Sequence, residues 1–156
     1  MGLLKELAIS TAIEDGEGDV TFVLNKIKSK VTPTIDKQNN VRFNIELTGK
    51  GMIEENNTKI DLDDKKEIDK LIHYLEKHAE KKVLHTIQKV QKEFEADIFG
   101  FGDRIYRKHP HKWHELKKDW DAIFSKAEVT LSVKLDITHK GMTNYSPFQK
   151  NRGAKQ

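Results

Sequence analysis

Histidine is the residue type that first suggests chemistry, because the sequence contains seven. His109, His111 and His114 fall within one short segment, and clusters of imidazoles bind zinc and copper. His109 and His111 flank Pro110 at a predicted helix start, so their side chains should diverge, whereas His111 and His114 are i, i+3 neighbours that could share an ion. The nearby acids do not follow a zinc-enzyme spacing such as H-E-x-x-H. We therefore expect surface histidines and no metal site.

Two carboxylates bracket a glycine-rich turn and raise the possibility of acid–base chemistry. Asp97 and Asp103 could act as a pair. Helix capping is the simpler interpretation, with Asp103 starting a short turn through Ile105 and Tyr106. Phe99-Gly100-Phe101-Gly102 lacks the glycine spacing or the lysine of a phosphate-binding loop. There is no cysteine to act as a nucleophile or thiolate ligand. These patterns give no argument for catalysis, a cofactor or a metal.

Aromatic and basic residues are interleaved from Phe99 to Trp120, a combination that can stack on single-stranded nucleic acid. Trp113 and Trp120 fall on the apolar stripe of a predicted helix, however, and the basic residues fall off it. The 28 Lys and Arg residues against 25 Asp and Glu residues give a net charge of +3, spread along the chain. We therefore expect neither nucleic acid nor acidic lipid as a partner.

The elements that position these residues follow from hydrophobic periodicity. Alternation of apolar and polar residues predicts strands with one buried face, most clearly over residues 41–48 and 129–138 and more weakly over Val20 to Ile35. A shorter strand is predicted over Leu7 to Ile13, followed by the turn Asp15-Gly16-Glu17-Gly18. One-faced antiparallel strands need a cover on their apolar side.

The cover is predicted to be helical. Apolar residues recur at spacings of three and four from Ile68 to Phe94, which predicts one helix over about residues 64–96, with Asp64 and Glu67 as a capping box. A second helix follows Pro110. Its apolar stripe consists of Trp113, Leu116, Trp120, Ile123 and Phe124. The fold class is therefore α+β: an antiparallel sheet of about four strands with a long helix and a shorter helix packed on one face.

The chain of 156 residues has the size of one domain. No apolar run approaches the roughly 20 residues of a membrane span, and the first residues lack a signal-peptide pattern. Periodicity is lost from Met142 onward. We predict a soluble chain with a single α+β domain over residues 1–141 and a loose C-terminal tail over residues 142–156.

One composite of motifs is distinctive. The run Glu95–Asp103 (EADIFGFGD) is followed by Arg107-Lys108-His109-Pro110 and then by Trp113 and Trp120. It resembles the C-terminal domain of the Ger(x)C (GerAC-like) spore germination proteins, the lipoprotein C subunits of germinant receptors. The likeness extends upstream to Gly2 and through the lysine-rich strand, so that it spans residues 2–141.

Two departures from the family pattern affect what the resemblance implies. The family's full chains are longer and begin with a signal peptide and a lipid-modified cysteine, so we expect this chain to be the C-terminal portion of such a protein. His109, His111 and His114 stand where the family has other polar or aromatic residues, which further weakens a metal role.

The resemblance implies a parent protein that is lipid-anchored at the outer face of the spore inner membrane. There it would act beside the membrane-embedded A and B subunits of a germinant receptor, and no enzymatic activity or cofactor is implied. The leading hypothesis is a non-catalytic domain that contributes to receptor assembly through protein–protein contacts. The alternative is a direct germinant-binding domain, which requires a concave pocket with a few converging polar groups.

The glycine-aromatic turn is the first candidate for an interface. Phe99 or Phe101 could be an exposed aromatic residue of the kind that dominates interfaces, with Arg104 and Arg107 beside it. The alternative is that both rings fill the gap between the helices. Replacing Phe101 with alanine separates the two interpretations, because only a core residue gives a large loss of stability.

Overall fold

The computed structural model describes residues 7–12 and 18–138 and shows an α+β fold, as predicted. The strands are β1 (Leu7–Ala12), β2 (Asp19–Ile35), β3 (Val41–Asn56) and β4 (Glu128–Thr138). The helices are α1 (Lys65–Glu93), α2 (Phe101–Lys108), α3 (Pro110–Leu116) and α4 (Trp120–Lys126), with a 3₁₀ turn over Lys117–Asp119. Within the described residues, no helix is both long enough and apolar enough to span a bilayer.

The strands follow one another across the sheet in the order β1-β2-β3-β4. β1 pairs antiparallel with β2, in a register that runs from Leu7 opposite Leu24 to Ala12 opposite Asp19. Most of the turn predicted over residues 15–18 and the tail predicted over residues 142–156 lie outside the described residues.

The turn from β2 to β3 is organised by one side chain. The carboxylate of Asp36 accepts hydrogen bonds from the backbone N–H groups of Gln38 and Asn40 and from the Asn40 amide, while Asn39 has a positive φ of 64°. Asp and Asn side chains favour such turns because they bond to nearby backbone groups. The hydrogen bonds from Asn40, first that of its side chain, lower the pKa of Asp36.

The chain divides into two compact units. The described part of unit 1 comprises residues 7–12, 18–28, 48–76 and 134–138, and that of unit 2 comprises residues 29–47 and 77–133. The single domain over residues 1–141 stays a prediction.

The core of unit 1 joins the first half of α1 to the strands. Leu71 and Leu75 of α1 are buried, and the remaining buried members of this core are Val20, Phe22, Leu24, Ile53, Leu62 and Ile137. Glu76, one residue beyond Leu75, is also buried, and its carboxylate accepts a hydrogen bond of 2.9 Å from the Leu135 N–H. Since β4 is the last strand of the sheet, this bond satisfies a backbone donor on the sheet edge.

The core of unit 2 is rich in aromatic residues. The apolar face of β3 contributes Val41, Phe43 and Ile45, as its alternation predicted. The other buried members come from the four helices and from Ala127, which follows α4: Ile87, Val90, Phe101, Ile105, Leu116, Trp120, Phe124 and Ala127. The Phe43 ring lies 4.5 Å from that of Phe101 and 6.3 Å from that of Trp120, centroid to centroid. Such spacings are typical of favourable aromatic pairs.

The prediction of one shorter helix after Pro110 is wrong in one respect, because α3 and α4 are separate. Asp119, which precedes α4, has φ −111° and ψ 21°, outside the helical range, and the 3₁₀ turn lies between the two helices. The predicted stripe keeps its buried side nevertheless: Leu116, Trp120 and Phe124 are buried, and Trp113 and Ile123 are partly buried. Periodicity identified the inward face but not the break, which lies in the exposed run Lys117–Asp119.

Candidate functional site: the α1–α2 junction

The α1–α2 junction consists of residues 94–100, the segment that connects the two helices. α1 ends at Glu93, and Glu95 adopts a left-handed conformation with φ 47°. A residue in this conformation ends a helix because the next turn cannot continue. The prediction that the buried stripe of α1 extends to Phe94 is therefore wrong: the Phe94 side chain is 64% exposed.

Asp97 holds the junction to α2 and to the helices that follow. One carboxylate oxygen accepts a hydrogen bond of 2.9 Å from the Phe101 N–H. The other accepts bonds of 2.7 Å from the Gly102 N–H and 3.0 Å from the Trp120 indole N–H. The first N–H groups of a helix lack partners within the helix, and a carboxylate there also interacts favourably with the helix dipole. Asp97 therefore caps α2, in agreement with the capping interpretation.

Asp103, the other carboxylate of the proposed pair, bonds elsewhere. It lies in the first turn of α2 and forms a salt bridge of 2.9 Å with Arg107, one turn further along the same helix. Asp97 and Asp103 thus bind different groups, and no hydrogen bond joins their carboxylates within the described residues.

The two glycines of the turn meet different geometric needs. Gly100 has φ 72°, a left-handed conformation that glycine adopts without steric cost. Gly102 lies under two tryptophans: a Cβ at this position would stand 2.7 Å from the Trp113 ring and 2.9 Å from the Trp120 indole nitrogen. Space for a side chain is therefore available at Gly100 and absent at Gly102.

The two aromatic rings of the turn differ in burial. Phe101 is 4% exposed, and its ring packs against those of Phe43 and Phe124. This is the placement expected from the core alternative and not from an exposed interface residue. Phe99 is partly buried, with its ring 5.6 Å from that of Phe101. Arg104 and Arg107 are exposed on α2, so an interface role stays a prediction for these arginines and for Phe99.

The sequence analysis did not identify the apolar side chains that are exposed here. Ile98 is 68% exposed and Tyr106 is 52% exposed, in addition to Phe94. We call these three residues the junction surface. Ile98 stands beside Phe99 in the quoted motif, but neither composition nor spacing distinguishes a surface residue from a core residue within a turn of this kind.

Asp97→Ala is expected to lower the free energy of unfolding by about 2–3 kcal/mol, because three donors lose a charged acceptor. Urea denaturation followed by circular dichroism measures this change. Asp103→Ala, in the first turn of α2, removes the same group but breaks only an exposed i, i+4 pair, worth about 0.5 kcal/mol. Equal losses in the two variants would show that Asp97 does not hold the junction.

The histidine segment connects α2 to α3. His109 lies between α2 and Pro110, with φ −136° and ψ 63°, outside the helical region that a following proline disfavours. His111 and His114 are exposed. Among the residues that the structure describes, no group of three or more histidine, aspartate or glutamate side chains is placed to hold a metal ion.

Unit 2 also has a cavity of about 370 Å³ beside the β2–β3 turn. Val41, Ile123 and Ala127 supply apolar lining, and the charged side chains at this cavity are Arg42, Lys126 and Glu128. Arg42 and Glu128 form a salt bridge of 2.8 Å. Apolar lining with a few polar groups is typical of small-molecule sites, and the volume lies within their usual range.

Comparison with known proteins identifies relatives over most of the chain. The family model described as "Spore germination B3/ GerAC like, C-terminal" matches residues 2–141. Spore germination protein YndF of Bacillus subtilis (strain 168) is 37% identical over 123 residues, which is 78% of this chain and 30% of the relative. Spore germination protein B3 of the same organism is 30% identical over 123 residues, 78% of this chain and 33% of the relative.

A solved structure has the same fold. The crystal structure of the GerBC protein matches with a TM-score of 0.76 and 26% sequence identity, covering 87% of this chain and 42% of the GerBC chain. The chain thus spans about a third of the length of the two curated relatives.

Proposed function

The chain belongs to the GerAC-like C-terminal family of spore germination proteins, and we propose that it is a non-catalytic domain of a germinant-receptor C subunit that contributes to receptor assembly through protein–protein contacts. Its partners in this proposal are the membrane-embedded A and B subunits. The full-length parent protein would carry the lipid anchor, at the outer face of the spore inner membrane.

The junction surface is the observation that supports this proposal. Among the described residues four large hydrophobic side chains are exposed, and three of them, Phe94, Ile98 and Tyr106, fall within residues 94–106. Scattered exposed apolar residues are normal, but three within one short segment are candidates for a shared interaction site. Aromatic residues and arginine are enriched in interfaces, and on α2 Arg107 directly follows Tyr106 while Arg104 precedes it by two residues.

The junction is held in place before any partner binds. Asp97 caps α2, Phe101 is embedded in the core, and Ile98 and Phe99 lie between these two fixed points in the sequence. A segment that is ordered in the free protein loses less conformational entropy on binding. Asp97 and Phe101 therefore fix the backbone on either side of Ile98, which holds this exposed side chain in position.

A pull-down of the A and B subunits in detergent by the tagged chain tests the proposal. We expect the double variant Phe94→Ala/Ile98→Ala to lose about tenfold or more of the capture, because central interface residues each contribute about 1–2 kcal/mol or more. Both side chains are exposed, so the circular dichroism spectrum and the melting temperature should hardly change.

Met52→Ala is the matched control, because Met52 is the fourth exposed large hydrophobic residue and lies in unit 1. It should capture the subunits as the unchanged chain does. Undiminished capture by the double variant would move the contact away from the junction surface. Failure of the folded, unchanged chain to capture either subunit would contradict an assembly role for this domain.

Direct germinant binding is the second candidate, and the cavity in unit 2 is the observation that favours it. Arg42 is paired with Glu128, so Lys126 would neutralise a carboxylate while the apolar lining contacts the rest of a small molecule. A ligand that binds only the folded state raises its melting temperature. Thermal shifts with amino acids, nucleosides and sugars test this candidate, and Lys126→Gln should abolish a shift that arises in the cavity.

A further inference from the structure

A second cavity, in unit 1, is lined by charged side chains from three neighbouring strands. Its volume is about 530 Å³. The polar side chains that line it are Lys26 and Lys28 of β2, Thr48 and Lys50 of β3, and Lys134 and Asp136 of β4. All six are exposed, and on each strand the pair flanks a less exposed residue that faces the other way: Ile27 on β2, Gly49 on β3 and Leu135 on β4. The cavity therefore lies on the outward face of the sheet.

The charges in this cavity do not balance. Four lysine ammonium groups face one carboxylate, that of Asp136, which forms a salt bridge of 2.9 Å with Lys50. Lys134 lies 3.5 Å from Glu76, whose other carboxylate oxygen is bonded to the Leu135 N–H. Lys26 and Lys28 form no ion pair with any residue in the range 18–138. Among the described residues, two cations are thus left without a counter-ion where the strands meet.

The outward face of the sheet in unit 2 is neutralised by cross-strand ion pairs. Lys30 of β2 lies 3.6 Å from Glu46 of β3, and Arg42 of β3 lies 2.8 Å from Glu128 of β4. Opposite charges on neighbouring strands stabilise a sheet, and like charges destabilise it. The same strands thus follow the stabilising pattern in unit 2 and depart from it around the cavity of unit 1, where excess lysines repel one another unless an anion lies between them.

We infer that the cavity of unit 1 binds a ligand that carries phosphate groups with at least two negative charges. The excess of cations favours a multiply charged anion, and the Thr48 hydroxyl adds a neutral donor. Among the described residues that line the cavity the cations are all lysines. Lysine binds phosphate as a compact point charge, whereas planar bidentate recognition of carboxylates is the role of arginine. The volume lies within the range of small-molecule sites.

Titration of the chain with pyrophosphate, followed by calorimetry and by the melting temperature, tests the inference. The unchanged chain should bind, with an affinity that falls as salt is added, because the lysines are exposed and therefore screened. Lys26→Gln/Lys28→Gln should weaken binding by about tenfold or more, because it removes the two unpaired cations. Both substitutions are on the exposed face, so the fold should persist.

Lys30→Gln/Lys37→Gln is the matched control, since it removes the same charge from unit 2 and should change the affinity by no more than about twofold. A parallel arm measures sedimentation with phosphatidylglycerol vesicles, with phosphatidylcholine vesicles as the neutral reference. Binding of pyrophosphate identifies a soluble phosphate ligand, and binding of the anionic vesicles alone identifies a lipid headgroup. Equal losses in the two double variants, or binding of neither probe by the unchanged chain, would overturn the inference.

Discussion

Phe101→Ala is expected to lower the free energy of unfolding by about 3–5 kcal/mol, the usual cost of truncating a buried phenylalanine. The ring is 4% exposed, and its centroid lies 4.5 Å from that of Phe43 and 5.9 Å from that of Phe124. Its removal leaves a cavity between rings of β3 and α4, which cannot close without moving the helices. The melting temperature should fall by roughly 10 °C for a chain of this size.

Ile98→Ala is the control for the stability loss expected of Phe101→Ala. Ile98 lies three residues earlier in the same motif and is 68% exposed, so its truncation should change stability by about 0.5 kcal/mol or less. In the capture of the A and B subunits we expect the opposite order of effects. Ile98→Ala weakens binding directly, while Phe101→Ala affects it only through unfolding. Unchanged melting of Phe101→Ala together with lost capture would instead favour the exposed-interface interpretation of Phe101.

Much of the fold could be predicted because local periodicity reports burial. In β3, Val41, Phe43 and Ile45 are buried and Arg42 and Asn44 are exposed, as alternation requires. The bounds of α1 also lie within three residues of the prediction at each end. Each of these elements buries one continuous face, so every apolar residue on that face indicates the same buried side.

The α1–α2 junction could not be predicted in the same way because its geometry depends on distant residues. α2 begins with Phe101 and Gly102, next to Gly100, and glycine is a poor helix former. The cap of the helix comes from Asp97, which is itself fixed by the indole of Trp120. Periodicity carries no information about a left-handed Glu95 either, so Phe94 was wrongly assigned to the buried stripe.

The charge pattern of the sheet shows a similar limit. A net charge of +3 spread along the chain gives no indication of an anion site. Alternation places Lys26 and Lys28 on the outward face, but it does not say which residues of β3 and β4 lie beside them. The local excess of lysines becomes visible only when strand pairing has brought Lys50 and Lys134 to the same cavity.

Gln91→Glu is expected to destabilise the chain by about 3–5 kcal/mol at neutral pH, the cost of an uncompensated buried charge. Gln91 is buried on α1, and its side-chain amide donates hydrogen bonds of 2.8 Å to the Phe124 carbonyl and 2.9 Å to the Ala127 carbonyl. These carbonyls lie at the end of α4, where helical carbonyls lack partners within the helix. A carboxylate of the same shape would place negative charge against both oxygens.

The pH dependence distinguishes this mechanism from a simple packing defect. Burial and the facing carbonyls favour the protonated form of the introduced carboxyl, so its pKa in the folded state rises above the unfolded value of about 4.3. Between these two pKa values the folded state binds more protons than the unfolded state, and stability therefore falls as pH rises. Urea denaturation at several pH values should show the stability deficit of Gln91→Glu growing from about pH 4.5 to neutrality.

Gln88→Glu, at an exposed position of the same helix, is the control and should show neither the stability deficit nor this dependence on pH. A deficit that is constant with pH would mean that shape and not charge is what position 91 requires, and the end of α4 would then be held by packing alone.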